Sequence, residues 1–412
     1  MRGDNVTLRE PPVDIDGLVV QALALRSVGR LDEAIACCEV ACRADDARDD
    51  LVLLSHEMIM QRDGPEQAIA YLEEEAERRP DSVAMTKALA IALSEMDRVE
   101  EALSLFQRVL GEDPSNLETA IRAADLALRC GDNDSAAAMI EWTAASLPNP
   151  KPALLQGAVL FAESQQKEGA LKLLQSAEAI GPLSGDERHI AAAVRGDAES
   201  VYTPAEVTAQ FDRHAETFDA NLDGLRYAGP EIMERALAES GLDQKRGLDV
   251  VDAGCGTGLC GPVVRPVAGA LTGIDLSPKM LEAAEARGCY DQLIAGDIKD
   301  IADTHAGAFD LLISADVLSY FGDLGDVLRS FRRSLRKGGA AIVIVETGMD
   351  EPLDEGFELQ PSGRYRHSSK YLLAGMRAAG FSLSNPEICG ILRFQYNRPV
   401  HCTALVGTVC AE

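Results

Sequence analysis

Three glycines at alternate positions follow an apolar run in Leu248-Asp-Val-Val-Asp252-Ala-Gly254-Cys-Gly256-Thr-Gly258, and a second apolar run closes in Gly273-Ile-Asp275. Glycine has no Cβ, so a chain built this way can turn sharply and approach a ligand closely. A carboxylate about 20 residues beyond such a turn can accept both hydroxyls of a ribose. The pattern implies an adenosine-containing cofactor. Farther on, Ala295-Gly-Asp297-Ile298 offers an acid and an apolar side chain, suited to an adenine amino group and ring face.

Two cofactors compete for this pattern. Gly256-Thr-Gly258-Leu-Cys-Gly261 satisfies the dinucleotide fingerprint G-x-G-x-x-G, a weak motif when it stands alone. In dinucleotide folds the first glycine directly follows the strand. Here that residue is Gly254, and counting from it puts Leu259 in the place of the third glycine. A pyrophosphate also needs a helix N-terminus for support, whereas a methionine sulfonium carries no phosphate. The spacing favours S-adenosylmethionine over a nicotinamide dinucleotide.

These residues need a scaffold, and the surrounding pattern supplies one. Short buried strands are expected at Val250–Asp252, Leu271–Asp275, Asp291–Ala295, Phe309–Ser314 and Ala340–Glu346, with helices at Met280–Arg287 and Asp326–Arg336. Lys337-Gly338-Gly339 reads as a helix stop. A helix at Ser369–Ala379 precedes strands at Glu387–Arg393 and His401–Val409, joined by a turn at Tyr396-Asn-Arg-Pro399. This is a doubly wound, Rossmann-like α/β sheet ending in an antiparallel hairpin, the architecture of class I methyltransferases.

The first half obeys a different rule. Ala34, Ala68, Ala102, Ala136 and Ala170 stand 34 residues apart, and Pro80, Pro114, Pro148 and Pro182 keep the same step, with Asp46 in the equivalent first position. Twelve residues before each alanine come Ala22, His56, Ala90, Ala124 and Ala158. Small residues at both positions let two antiparallel helices approach, and the proline ends the second helix. His56 is expected to be a packing residue. Asp186–Arg195 would form the capping helix that such an array needs. The expected domains are a tail at 1–15, a five-repeat helical solenoid at 16–183, a cap and linker at 184–203, and the α/β domain at 204–412.

With its repeats included, the chain resembles bacterial methyltransferases that carry N-terminal tetratricopeptide repeats. The likeness rests on repeats of the form Gly29-Arg-Leu-Asp-Glu-Ala34-Ile, the preface Gln210-Phe211-Asp-Arg-His214-Ala-Glu-Thr-Phe218, then Leu225-Arg-Tyr227-Ala-Gly-Pro230, and Ser362-Gly363-Arg364-Tyr365-Arg-His367-Ser368. The resemblance implies that Gly254, Gly256 and Gly258 lie under the methionine part of S-adenosylmethionine, with Asp252 toward its ammonium. It implies Asp275 on the ribose, Leu276 and Met280 beside the adenine, and Asp297 and Ile298 at the adenine edge. Asp316, in Ser314-Ala-Asp316-Val-Leu318-Ser-Tyr320, would close the cofactor pocket, and Phe211 and Phe218 would sit in a helical lid.

Methyl transfer needs an aligned acceptor and, for an oxygen or ammonium nucleophile, a base. His367 is the first candidate, with Tyr365, His214 and Glu346 behind it. Arg364 and Arg366 suggest an anionic group on the substrate, with Tyr320 and Tyr227 expected on the same side. His189, His305 and His401 have no partner pattern and receive no role. Cys255 and Cys260 are not needed as nucleophiles, and Cys37, Cys38 and Cys42 lack the companions of a metal site, so no metal is expected.

The chain of 412 residues carries a net charge of −28, of which −16 falls in residues 1–183. A field of that sign disfavours nucleic acid and anionic lipid as partners. No run of signal-peptide or membrane-spanning character is present, and the ten cysteines read as reduced thiols, so a cytoplasmic protein is expected. The repeats would recruit a protein or peptide, itself a candidate methyl acceptor. A small-molecule acceptor and pairing of two copies of the chain are the other readings. The competing function is a scaffold that binds S-adenosylmethionine without catalysis.

Overall fold

The computed structural model describes residues 14–45, 48–197, 203–349, 353–383, 387–395 and 398–410. The first 13 residues of the N-terminal tail, Asp46, and Tyr396 and Asn397 of the hairpin turn lie outside these residues, as does the side chain of Asp186. Two compact units divide between Ala153 and Leu154.

The first unit is built from helix pairs: α1 (Ile15–Ser27) with α2 (Leu31–Ala44), α3 (Asp49–Asp63) with α4 (Pro65–Arg78), α5 (Val83–Glu95) with α6 (Val99–Glu112), and α7 (Leu117–Arg129) with α8 (Asn133–Ser146). The 34-residue step is a packing rule. Ala22, Ala34, Ala68, Ala90, Ala102, Ala124 and Ala136 are all fully buried, where a larger side chain would push the helices apart. Helix starts are fixed by side-chain caps, with Ser82, Asn116 and Asp132 accepting from the amides of Met85, Thr119 and Ser135. His56 is partly buried and burial lowers its pKa, as suits a packing residue.

The second unit opens with α9 (Lys151–Glu163), α10 (Lys167–Ile180) and α11 (Gly185–Arg195). The fifth repeat and its cap are therefore compact with the α/β portion, whereas the sequence put the boundary at 183 and the linker at 184–203. Hydrogen bonds from α9 and α11 to the late strands and loops account for the shift.

Next come α12 (Pro204–His214), α13 (Phe218–Gly224) and α14 (Gly229–Ser240). The core of the unit then runs β1 (Leu248–Ala253), α15 (Gly261–Val264), β2 (Ala268–Asp275), α16 (Pro278–Ala286), β3 (Gln292–Ala295), α17 (Ile301–Thr304), β4 (Phe309–Ala315), α18 (Gly325–Ser334) and β5 (Leu335–Met349). It ends with β6 (Phe357–Leu359), β7 (Tyr365–His367), α19 (Ser369–Ala379), β8 (Phe381–Ser382), β9 (Ile388–Gln395) and β10 (Arg398–Val409).

The sheet order is β3-β2-β1-β4-β5-β10-β8, with β9 also on β10. Strands β1 to β5 are parallel, and β10 runs antiparallel to β5. Alternate side chains serve opposite faces. Val251, Leu312 and Val343 pack with Phe331 and Met376 on one face. Val250, Leu311 and Ile342 pack with Met233 and Val264 on the other. Strand order reverses between β1 and β4, and the crevice beyond the strand ends at such a switch point is where open α/β sheets bind ligands.

Lys337-Gly338-Gly339 is not a helix stop. The helix ends at Ser334, and β5 starts at Leu335 with a register shift against β4 that takes up Gly338 at φ +76°. Strands β6 and β7 form a separate hairpin the sequence did not announce. Among the described residues no helix is long and apolar enough to cross a membrane.

Candidate active site

The chain leaves β1 through Gly254 at φ +80° and Gly256 at φ +53°. The amides of Gly254 and Cys255 both donate to the Ile274 carbonyl, at 2.8 and 3.1 Å, which ties the turn to β2. A methyl group on Gly254 would lie 2.4 Å from Val317, so that position must be glycine to close. A methyl group on Gly256 would meet nothing within 4 Å and would project into a cavity of about 780 Å³. That bare stretch of backbone is where a ligand can approach. Gly258 is absent from the cavity wall. A methyl group there would lie 2.8 Å from the Tyr290 ring, so this glycine makes room for Tyr290.

Asp275 faces the same cavity from the end of β2. Its Oδ2 accepts from the Gly256 amide and its Oδ1 from the Ser277 amide, each at 2.9 Å. The carboxylate is thereby fixed in orientation, with lone pairs left for hydroxyls. Asp252 lies deeper. Tyr290, missed in the sequence, donates its hydroxyl to Asp252 Oδ2 at 2.7 Å. Burial, with Asp275 nearby, pushes the Asp252 carboxyl up to about 7. Leu276, Asp297 and Ile298 line the cavity beside Asp275, and Asp297 caps its turn by accepting from the Lys299 amide at 2.9 Å. Met280 does not join them: it is fully buried on α16 and stands outside the cavity wall.

Helices α12 and α13 supply an apolar lid. Phe211 and Phe218 line the cavity with ring centroids 5.9 Å apart, and Phe211 meets the Tyr320 ring at 5.4 Å. Two acids the sequence reading passed over fasten the lid. Asp212 accepts from Ser277 Oγ at 2.5 Å, and Asp219 accepts from Thr257 Oγ1 at 2.5 Å while pairing with Arg287. His214 points outward. It is exposed, and its Nδ1 donates to the Gln210 carbonyl one helical turn back, so it does not reach the cavity.

The opposite wall carries Tyr227, Asp316, Tyr320, Arg364 and Tyr365, together with Arg393 and Gln395 from β9. Asp316 is one of the few non-glycine residues at positive φ, +59°. Such strain persists only where neighbours over-determine it. Here Arg364 and Arg393 both reach its carboxylate. Arg364 also donates to Glu346 Oε2 at 3.2 Å and to the Tyr320 hydroxyl at 2.9 Å, and Arg393 donates to Glu346 at 2.6 Å. Burial would raise the Glu346 carboxyl, but the two arginines outweigh it and hold the group low.

Two guanidiniums thus face two carboxylates. Arg364 is committed within the protein, which removes the reason for expecting an anionic substrate. Arg366 is outside the wall and pairs with the exposed Glu358 at 2.7 Å.

His367 is also corrected. It is fully buried, outside the cavity wall, and packed against Phe357 and Tyr371, with Nε2 donating to the Gly322 carbonyl at 3.0 Å. Burial lowers its pKa. With Nε2 on a backbone carbonyl and the ring outside the cavity wall, His367 ties the β6–β7 hairpin to the Gly322 loop. No His, Cys, Asp or Glu grouping suited to a metal occurs among the described residues.

The sheet order, the glycine turn and the acids at the strand ends are those of a Rossmann-like methyltransferase fold. A family model described as a methyltransferase domain matches residues 251–343, and two tetratricopeptide repeat models match residues 60–116 and 95–158. The chain therefore joins tetratricopeptide repeats to a methyltransferase domain.

Over 167 residues it is 29% identical to malonyl-[acyl-carrier protein] O-methyltransferase of Pseudescherichia vulneris, covering 40% of this chain and 63% of that protein. Over 121 residues it is 30% identical to the ubiquinone biosynthesis O-methyltransferase of Caulobacter vibrioides, covering 27% and 48%. The chain thus spans less than two thirds of the length of these relatives. Magnesium protoporphyrin IX methyltransferase of Synechocystis, solved with bound S-adenosylhomocysteine, aligns over 50% of this chain and 99% of that one, with 16% identity and a TM-score of 0.38.

Proposed function

We propose that this protein transfers a methyl group from S-adenosylmethionine to an oxygen or nitrogen atom of an acceptor held against the Tyr320–Arg364 wall. One observation carries the reading: the Asp275 carboxylate, fixed by the Gly256 and Ser277 amides, opens onto the same cavity as Asp316, Tyr320 and Arg364. S-adenosylmethionine supplies the methyl group on a sulfonium that leaves as a neutral thioether. Asp275 holds the ribose, Leu276, Asp297 and Ile298 hold the adenine, and Asp252 faces the ammonium. The Phe211–Phe218 lid excludes water. Asp316, Tyr320, Tyr227 and Tyr365 are the titratable groups on the acceptor side, in place of His367 and His214. Both relatives above are named O-methyltransferases, which favours an oxygen acceptor.

In this proposal the repeats recruit a protein or peptide, and the net charge of −28 makes a basic partner a better match than nucleic acid or an anionic membrane. The setting is cytoplasmic, where the ten free cysteines stay reduced. Calorimetry on the full chain tests the core of the reading. S-adenosylmethionine and S-adenosylhomocysteine should bind in the micromolar range and NAD(P)H should not; absence of both sulfur nucleotides from a folded sample would sink the enzyme. Transfer of labelled methyl to a protein fraction or to a small-molecule filtrate then separates the acceptor classes and excludes the silent scaffold. Removing residues 1–150, not 1–183, is the informative truncation, since it keeps α9 and α10 whole with the second unit.

The same titration gives a pH dependence. Asp252 ionises near 7 and its charged form attracts the cofactor's ammonium, so S-adenosylhomocysteine should bind about ten-fold more tightly at about pH 8 than at about pH 6. Asp252→Asn should flatten that profile; an unchanged slope would place the titrating group elsewhere.

A further inference from the structure

His189 and Glu163 were given no role in the sequence, yet from the end of the repeat array Glu163 meets a residue of the cavity wall and His189 meets the residue next to one. Glu163 closes α9, and both its carboxylate oxygens accept from Gln395 Nε2, at 3.2 and 3.3 Å. Gln395 lines the cavity at the end of β9. His189 lies midway along α11, only 3% exposed, and its Nε2 donates to the Gly363 carbonyl at 2.9 Å. Burial lowers its pKa, which keeps the ring neutral.

The Gly363 carbonyl is a telling place to hold. The loop between β6 and β7 closes on itself through Gly363 N to Gln360 O and Gln360 N to Arg364 O, both 2.8 Å. Gly363 sits at φ +80°, and the next residue is Arg364. From there Arg364 spans the cavity wall to Tyr320, Glu346 and Asp316. The far end of the same hairpin is held by His367 on the Gly322 carbonyl. Two neutral histidines thus anchor the hairpin, His367 from its own strand to the Gly322 carbonyl and His189 from the repeat cap to the Gly363 carbonyl.

We propose that the helix capping the repeat array is a working part of the acceptor site, with His189 as a positioning residue that fixes Arg364, and through it Tyr320 and Asp316, by holding the Gly363 carbonyl. This rests on reading the cavity as the site of methyl transfer. The end of the array then acts from behind the pocket, through the hairpin that carries Arg364.

Amide hydrogen exchange on the full chain tests it. His189→Leu removes the donor and keeps an apolar body. Exchange should quicken about ten-fold in residues 357–367 and also in 316–322, which the hairpin meets through Arg364 and through His367 on the Gly322 carbonyl. His189→Gln, whose amide can take the place of Nε2–H, should restore both. Strands β4 and β5 should not change.

Quickened exchange confined to α11, or failure of glutamine to restore 316–322, overturns the proposal and leaves His189 as packing. Should His189→Leu not fold, Arg364→Met carries the test. It must loosen 316–322 as well, and adding His189→Gln must change nothing further; an unmoved 316–322 refutes the coupling. Parallel calorimetry with S-adenosylhomocysteine keeps the two ideas apart, because a wild-type chain that fails to bind it removes the methyltransferase reading while the exchange result still decides the role of His189.

Discussion

Asp275→Ala should weaken S-adenosylhomocysteine binding by more than about 100-fold. A carboxylate that accepts two ribose hydroxyls makes two hydrogen bonds to a charged group, each contributing about 1.5–3 kcal/mol, and about 1.4 kcal/mol corresponds to ten-fold in affinity. The loss has a second source. The Gly256 and Ser277 amides, which now donate to Asp275 at 2.9 Å, would lose their acceptor, and the glycine turn would lose its fixed shape. Asp275→Asn keeps an acceptor without the charge and should fall between the two. Calorimetric titration measures all three proteins, with a thermal melt to show that each is folded. An alanine variant that binds within a few-fold of the parent would mean that the ribose lies elsewhere.

The second large effect concerns stability. Glu346 and Arg393 are each only 5% exposed, and Glu346 also accepts from Arg364. Glu346→Gln keeps the shape but leaves two buried guanidiniums facing Asp316 alone. Removing one member of a buried ion pair costs about 3–5 kcal/mol because the charge left behind is uncompensated. For a unit of this size that corresponds to a fall in Tm of roughly 6–15 °C.

The control is Glu358→Gln, which breaks the exposed pair with Arg366 and should change stability by less than about 0.5 kcal/mol. Glu346 is held below its ordinary 4.5, so its contribution is complete above that pH and is lost as pH falls through the lowered value. Scanning calorimetry at neutral pH gives both numbers, and equal melting of the two variants would show that the four charges do not act as a unit.

What could be read in the residues was whatever repeats or alternates. The 34-residue step gave the helix pairs, because a position that favours a small residue recurs wherever two helices cross, His56 being the exception. Strands buried on both faces are continuous aliphatic runs, so β1, β2, β4 and the core of β5 could be placed. The turn at Gly254 and Gly256 and the strand-end placement of Asp275 were legible because a sharp turn after a buried strand leaves few alternatives of residue type.

The acceptor side was not legible, for a physical reason. Arg364, Arg393, Glu346 and Asp316 come from four separate segments, and whether an arginine offers its charge outward depends on partners that only the fold brings near. His367 looked like a base because histidine titrates near neutrality. Its burial and its bond to Gly322 could not be foreseen from neighbours in sequence. Tyr290 and His189 carry no local pattern at all. The β6–β7 hairpin, with three residues per strand, is too short to alternate.

The placement of β10 bears on the order in which the molecule is made. This strand, near the end of the chain, lies inside the sheet between β5 and β8 rather than at its edge. Helix pairs α1–α8 join neighbours in sequence and can form as they emerge from the ribosome, since local contacts close quickly. The parallel strands cannot gain their last interior neighbour until β10 has been synthesised. The helical array is therefore complete while the sheet is still open, with its β5 edge an unpaired template. During that interval the nascent protein is most exposed to strand-to-strand misassociation and to the chaperones that prevent it.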